Sequence, residues 1–276
     1  MTQTDEQLLL QLVDNLSSVG GIRAIALGGS RARGKATARS DYDIGLYYDP
    51  DAPIDVDSLR RVVAEMDDAG PAASVTPIGG WGPWINGGGW LTLAGTRVDL
   101  LYRDLRRVGA VIGDCRAGRV ERHYQPGHPH AFVSAIYMGE VAYGRALWEP
   151  TGALSALKQL TLPYPKPLAE ALVDTFLWEA DFALANARHG RGLDDTAYVV
   201  GCTFRCVACL CQALFARNGI YLLNEKGAVA AIAELTRRPR AFGARVAAAL
   251  QAITTGRPGD GLQELDGLVK ETQAMT

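Results

Sequence analysis

Residues 28–48 read GGSRARGKATARSDYDIGLYY, and the interpretation of this stretch decides the fold. Its last third, YDIGLYY (42–48), has the composition of a strand, yet Asp41 and Asp43 stand at its entrance. Side chains two apart in a strand leave the same face, so both carboxylates project one way while Tyr42 and Ile44 project the other. Adjacent carboxylates repel, and burial raises their pKa values. A bound divalent cation removes that cost; Mg²⁺ takes oxygen ligands, usually one or two carboxylates with phosphate oxygens and water. The turn in front supplies a second half. Gly28 and Gly29 let backbone approach a phosphate closely, and if Ser30 opens a helix, its hydroxyl and the first amides face that phosphate. Arg31, Arg33 and Lys35 add positive charge nearby.

On either side of this stretch the pattern is that of an α/β fold. Leu8, Leu9, Leu12, Val13 and Leu16 repeat with helical period, and Gly20-Gly21 ends that helix. IRAIAL (22–27) has the length of a buried strand. Leu59, Val62, Val63 and Met66 mark another helix, closed by Gly70-Pro71. SVTPI (74–78), WLTLA (90–94) and RVDLLY (97–102) read as strands, the last two joined at Gly95-Thr96. Asp99 is one acid in an otherwise apolar strand, and it is the candidate third carboxylate of a two-ion site.

Beyond about residue 130 the texture becomes helical. Val173, Leu177, Ala180, Leu184 and Ala187 form one stripe; Val199, Cys202, Cys206, Cys209 and Ala213 form another. HYQPGHPHAF (123–132) reads as a turn-rich linker belonging to either half. The expected fold class is α/β (α+β): an N-terminal domain with a mixed sheet over 1–130, then an all-helical bundle over 131–276.

Bulk properties exclude several classes. The 276 residues carry a net charge of −2, so no broad basic field draws the chain to nucleic acid or anionic membrane. No uninterrupted apolar run of about 18 residues appears, so no membrane span is expected. The N-terminus has no signal-peptide pattern. Five cysteines, four of them within ten residues, fit a reducing cytoplasm rather than a secreted disulfide framework.

A Gly-Ser turn, ten intervening residues, Ser-Asp-x-Asp and a later strand acid resemble the nucleotidyltransferase superfamily that includes DNA polymerase β. The N-terminal placement and helical second half are most similar to the aminoglycoside nucleotidyltransferases for streptomycin/spectinomycin and kanamycin. That resemblance implies catalytic-metal roles for Asp41, Asp43 and Asp99 with two Mg²⁺ ions, and ATP or another nucleoside triphosphate as co-substrate. It implies triphosphate contacts for Ser30 and Ser40, and for Lys226 in the helical half, beside the phosphate-facing Gly28, Gly29, Arg31 and Arg33 of the turn. It also implies transfer of NMP to a hydroxyl of a small molecule, by a monomer or homodimer. The same chemistry on tRNA or protein is the alternative, as is a non-catalytic NTP-binding protein. One departure is Gly45, where relatives often have another apolar residue.

WGPWINGGGW (81–90) sets Trp81, Trp84 and Trp90 among four glycines, and exposed indoles stack on bases, sugars or amines. Packing within a seam between the halves is the competing role. Glu140, Glu179 and Asp181 are acids on helical segments that could meet a cationic acceptor. Cys202-x3-Cys206-x2-Cys209 has the spacing of an iron–sulfur motif, but on one apolar helix it reads as core packing. His123, His128 and His130 crowd eight residues; with Pro126-Gly127 and Pro129 between them they read mainly as loop residues, with a substrate- or phosphate-facing histidine the next reading and zinc the least.

Overall fold

The computed structural model describes residues 3–37, 40–192 and 194–275. In chain order the elements are α1 (Gln3–Leu16), β1 (Ile22–Leu27), α2 (Gly29–Ala32), β2 (Tyr42–Tyr48), α3 (Val56–Met66), β3 (Gly88–Leu93), β4 (Thr96–Asp104), α4 (Leu105–Arg116), β5 (Arg122–Gln125), β6 (His128–Val133), α5 (Ile136–Tyr143), β7 (Arg145–Trp148), α6 (Ala153–Gln159), α7 (Lys166–Gly192), α8 (Thr196–Arg217), α9 (Ala228–Ala231), α10 (Phe242–Thr254) and α11 (Pro258–Ala274). This is the mixed α/β fold with a helical C-terminal region that the sequence leads one to expect. The chain forms two compact units that interleave in sequence: Met1–Gly113 with Tyr137–Pro163, and Asp114–Ile136 with Tyr164–Thr276. One boundary near residue 130 was expected; instead 114–136 and 137–163 each join the unit on the far side of the other.

The first unit is built on a five-stranded sheet of order β3-β4-β2-β1-β7. β2 and β4 are parallel; every other neighbouring pair is antiparallel. Alternation assigns the two faces. Tyr42, Ile44, Leu46 and Tyr48 of β2 and Val98, Leu100 and Tyr102 of β4 are buried in one core with Leu9, Leu12 and Leu16 of α1 and Leu59 and Val63 of α3. Each such side chain contributes about 1.5–3 kcal/mol on burial, which fixes the register, since a one-residue slip would reverse the faces. The opposite face carries Asp43, Gly45, Asp99 and Arg103. SVTPI is not a strand: Val75 makes a single bridge to Gly89, and Pro77 lacks the amide a ladder would use.

In the second unit, α7 and α8 form a long helical hairpin with α10 and α11 beside it. The buried face of α7 is Leu172, Phe176, Ala180, Ala183, Leu184 and Ala187. Relative to the expected stripe it is rotated by one position at its N-terminal end, leaving Val173 and Leu177 half-buried. α8 is long and apolar enough by composition to cross a membrane, although polar residues interrupt its apolar run, and 72% of its most apolar window is buried inside the structure. The histidine-rich segment is a hairpin, not a linker: Gln125 pairs with His128 across Pro126-Gly127, where Gly127 has φ +92°.

Candidate active site

Register brings the acids together. β2 and β4 run in parallel with Asp43 beside Asp99, and neighbouring strands lie about 4.8 Å apart. Asp41 is two residues before Asp43 on the same face. Burial first, then the charges on Asp41, Asp99 and Glu140, push the Asp43 carboxyl up to about 6, against the opposing pull of Arg33. Asp99 is also raised, by burial and by Asp41, with Arg97 opposing. These are under-compensated carboxylates on one strand face. The donor set is all oxygen and doubly or triply negative, which fits hard divalent cations.

The turn before them packs against the same acids. The Gly28 amide donates to the Asp43 carbonyl at 2.7 Å. Gly29 has φ +60°, and a Cβ there would stand 1.7 Å from Asp43 Oδ2. Its missing side chain therefore admits a carboxylate, a role the phosphate argument did not foresee. Ser30 lies in the single turn of α2.

Arg31 is committed inside the protein rather than offered to a phosphate. It donates from Nε to the Asp41 carbonyl (3.1 Å) and from Nη2 to the Ser40 carbonyl (2.7 Å), and Nη1 pairs with Asp5 Oδ1 at 3.1 Å. Its guanidinium carbon sits 3.7 Å from the centre of the Tyr42 ring, and the Tyr42 hydroxyl donates to Asp5. Helix α1 thereby clamps the backbone at the entrance to β2. Arg33 is exposed and lies close enough to Asp43 to lower its pKa. The Ser40 hydroxyl accepts from the Thr37 amide at 2.9 Å.

The same face carries a part-buried ion pair. Arg103, 3% exposed, makes two 2.7 Å hydrogen bonds to Glu140 of α5. Glu140 is close enough to Asp43 to raise its carboxyl, but its own carboxylate is already engaged by Arg103. Gly45 has a physical reason: a Cβ there would come within 2.9 Å of the Tyr47 ring, so the aromatic takes the space of an apolar side chain at 45. Sequence reasoning missed Asp5, Arg97 and Arg103. The last two were legible from β4 alternation, since 97, 99 and 103 share a face; Asp5 was not. Arg97 reaches Asp41 at 3.6 Å.

Residues 9–77 match the family model of the nucleotidyltransferase domain. The match spans the Gly-Ser turn, Asp41 and Asp43; Asp99 lies beyond it. Among solved structures, the chain is similar to a nucleotidyltransferase-like protein from Exiguobacterium sibiricum 255-15. Identity is 11% and the TM-score 0.45, covering 96% of this chain and 74% of that one. No curated protein matches.

The three tryptophans flanking the nucleotidyltransferase-domain match do not act together. Trp84 is buried, with its carbonyl accepting from the Tyr137 hydroxyl at 2.6 Å and Arg107 over its ring at 4.2 Å. It is a packing residue of the first unit. Trp81 and Trp90 stack with centroids 4.5 Å apart, and Trp90 remains 69% exposed.

Lys226 is exposed and belongs to the second unit, in a loop ahead of the short α9. Its amide donates to Asn224 Oδ1 at 2.8 Å. The neighbouring Glu225 accepts from the amides of His130 (3.0 Å) and Ala131 (3.3 Å) and lies 3.3 Å from His128 Nδ1. His130 Nε2 is 3.3 Å from Glu179 and 3.5 Å from Cys209 Sγ. Arg122 and Arg205 also pair with Glu179, each at 2.5 Å. Burial alone would raise the Glu179 carboxyl, but His130 and these arginines outweigh it and hold it at about 2. Two guanidinium groups already match the one carboxylate in this cluster, which leaves a dication little to neutralise. Cys206, Cys209 and Cys211 are buried in α8, and burial pushes the thiols of Cys206 and Cys211 up to about 12.

Proposed function

We propose that this protein transfers a nucleoside monophosphate, AMP from ATP in the first instance, to a hydroxyl of a small molecule and releases pyrophosphate. Asp41, Asp43 and Asp99 hold two Mg²⁺ ions in this reading, and Gly28, Ser30 and Arg33 face the triphosphate. The observation that carries it is the pairing of Asp43 with Asp99 on parallel strands, two residues from Asp41. The nucleotidyltransferase-domain match over 9–77 supports the general reaction class. Aminoglycoside-like molecules are the leading acceptors, by resemblance, and the cytoplasm is the expected compartment.

In the reaction the acceptor oxygen bonds to the α-phosphorus as the bond from that phosphorus to the β-phosphate bridging oxygen breaks. Pyrophosphate departs with the electron pair, and the hydroxyl proton passes to Asp99. The cations supply Lewis acidity, lowering the pKa of the attacking hydroxyl and neutralising charge on the leaving group. The protein's own contribution is position: Arg31 fixes the backbone of Ser40 and Asp41, and Gly29 admits the Asp43 carboxylate. The test is pyrophosphate release from each of four nucleoside triphosphates with Mg²⁺ and aminoglycosides, small alcohols, tRNA or the protein itself. Asp41→Asn is expected to abolish release while keeping the wild-type melting profile. Full activity in Asp41→Asn would overturn the assignment.

A further inference from the structure

The order of strands across the first unit gives the site a direction. The cradle of Gly28–Ser30 follows β1, at one side of the acids. Next come Asp43 on β2 and Asp99 on β4. On the far side is β3, where Trp90 lies directly opposite Asp99 in the antiparallel register. Opposed residues of an antiparallel pair share a face, so Trp90 flanks the acid face on the side away from the cradle.

Trp90 is placed there with some cost. An exposed indole on an open strand face buries little area, and 69% exposure leaves most of that potential unused. Gly88 is required first by the β4 backbone: a Cβ there would stand 1.7 Å from the Leu100 carbonyl, and 3.0 Å from the Trp81 ring. Trp81 backs Trp90 with ring centroids 4.5 Å apart. The hairpin beneath is pinned as well, with Asp67 accepting from the Thr92 amide and Asp68 from those of Ala94 and Gly95.

We propose that Trp81 and Trp90 form the acceptor subsite, taking the flat face of a neutral or cationic ring compound that bears the reacting hydroxyl. The inference rests on the transfer reaction proposed above. In-line displacement puts the entering oxygen opposite the departing pyrophosphate. With pyrophosphate at the Gly28–Ser30 cradle, the entering group arrives from the β3 side, where these rings stand. Indoles favour ring faces with polarised C–H bonds and cations. The charged side chains on this face are Asp41, Asp43, Asp99 and Glu140, with Arg97 on Asp41, Arg103 on Glu140 and Arg33 near Asp43.

The test compares wild type with Trp90→Ala and Trp90→Phe. Mg-ATP affinity is measured by calorimetry. Pyrophosphate release is followed with kanamycin, streptomycin, myo-inositol and glycerol as acceptors. A ring acceptor is expected to be used in preference to glycerol. Trp90→Ala should raise its KM at least tenfold with kcat within about threefold, and Trp90→Phe should restore most of the loss. Mg-ATP affinity should stay within twofold throughout. A tenfold loss of Mg-ATP affinity in Trp90→Ala would instead place the nucleobase on these rings and overturn the proposal. So would an unchanged ring-acceptor KM, or glycerol being used as well as every ring. Failure of the wild type to bind Mg-ATP at all is a separate result: it removes the transfer reaction itself, and this inference with it.

Discussion

Each unit holds a carboxylate system, half-buried around Asp43 and buried at Glu179, and the two are treated in opposite ways. In the second unit Glu179 meets Arg122, Arg205 and His130, and its carboxyl falls to about 2. In the first, Asp43 sits beside Asp99 and near Asp41 and rises to about 6, with Arg33 opposing from a distance. Composition alone does not separate these cases, because both regions contain acids and arginines in number. The difference lies in whether the guanidinium groups reach the carboxylates. Around Glu179 they do. Around Asp43 they are mostly used elsewhere, Arg31 on the backbone of Ser40 and Asp41 and Arg103 on Glu140, while Arg97 reaches Asp41 at 3.6 Å. A charge system satisfied by the protein is a structural device; one left in deficit is suited to cations from outside.

The contrast can be broken most directly at Asp43. Asp43→Asn is expected to lower turnover on the order of 10³-fold or more, a barrier increase of about 4 kcal/mol. The same variant should stabilise the metal-free protein. The wild-type cost is fully present above about pH 6, where Asp43 is ionised in the fold, and absent below about 3.8. The gain amounts to at most about 3 kcal/mol at neutral pH, read as a higher denaturation midpoint. A variant both inactive and less stable would contradict the deficit. Arg31→Ala comes next. Loss of the clamp should weaken Mn²⁺ binding by about 10–100-fold, measured by calorimetry, as for other groups that orient metal ligands from behind; unchanged Mn²⁺ affinity would reduce Arg31 to a packing residue.

The satisfied system makes the reverse prediction. Glu179→Gln should cost about 1–3 kcal/mol in urea unfolding at pH 7. Its folded pKa is depressed, so its contribution is complete above the ordinary value of 4.5 and is lost as pH falls toward about 2. Wild-type melting temperature should drop through that window, and Glu179→Gln should flatten the drop. The smallest effect is expected at Gly45→Ala, where a Cβ 2.9 Å from the Tyr47 ring forces that ring to shift, for about 1 kcal/mol; a neutral result would show that the face behind the acids is loosely packed.

Local chemistry was the legible part. IRAIAL and YDIGLYY are the strands Ile22–Leu27 and Tyr42–Tyr48, because alternation and turn glycines state their bounds directly. The register that sets Asp43 beside Asp99 was inferable only as convergence, since pairing across 56 positions leaves no local mark. Arg31 was misjudged for the same reason: its proximity in sequence to Ser30 pointed to phosphate, while its actual partner Asp5 lies 26 residues upstream. The β5–β6 hairpin was missed because Pro129 weakens a strand pattern, although Pro126-Gly127 was a turn signal in plain view. The α7 stripe drifted by one residue because Leu172, Val173, Phe176 and Leu177 offer two adjacent apolar rows, and only tertiary packing chooses between them.

The late arrival of β7 has a consequence for biosynthesis. This edge strand, residues 145–148, pairs with β1, and α5 just ahead of it delivers the counter-ion of Arg103. A nascent chain of 130 residues has therefore made four of its five sheet strands but keeps one border of β1 open and one guanidinium unmatched. Ribosomes must release roughly twenty more residues before that sheet can close, and a clone terminated at 130 would carry the sticky, half-finished border permanently.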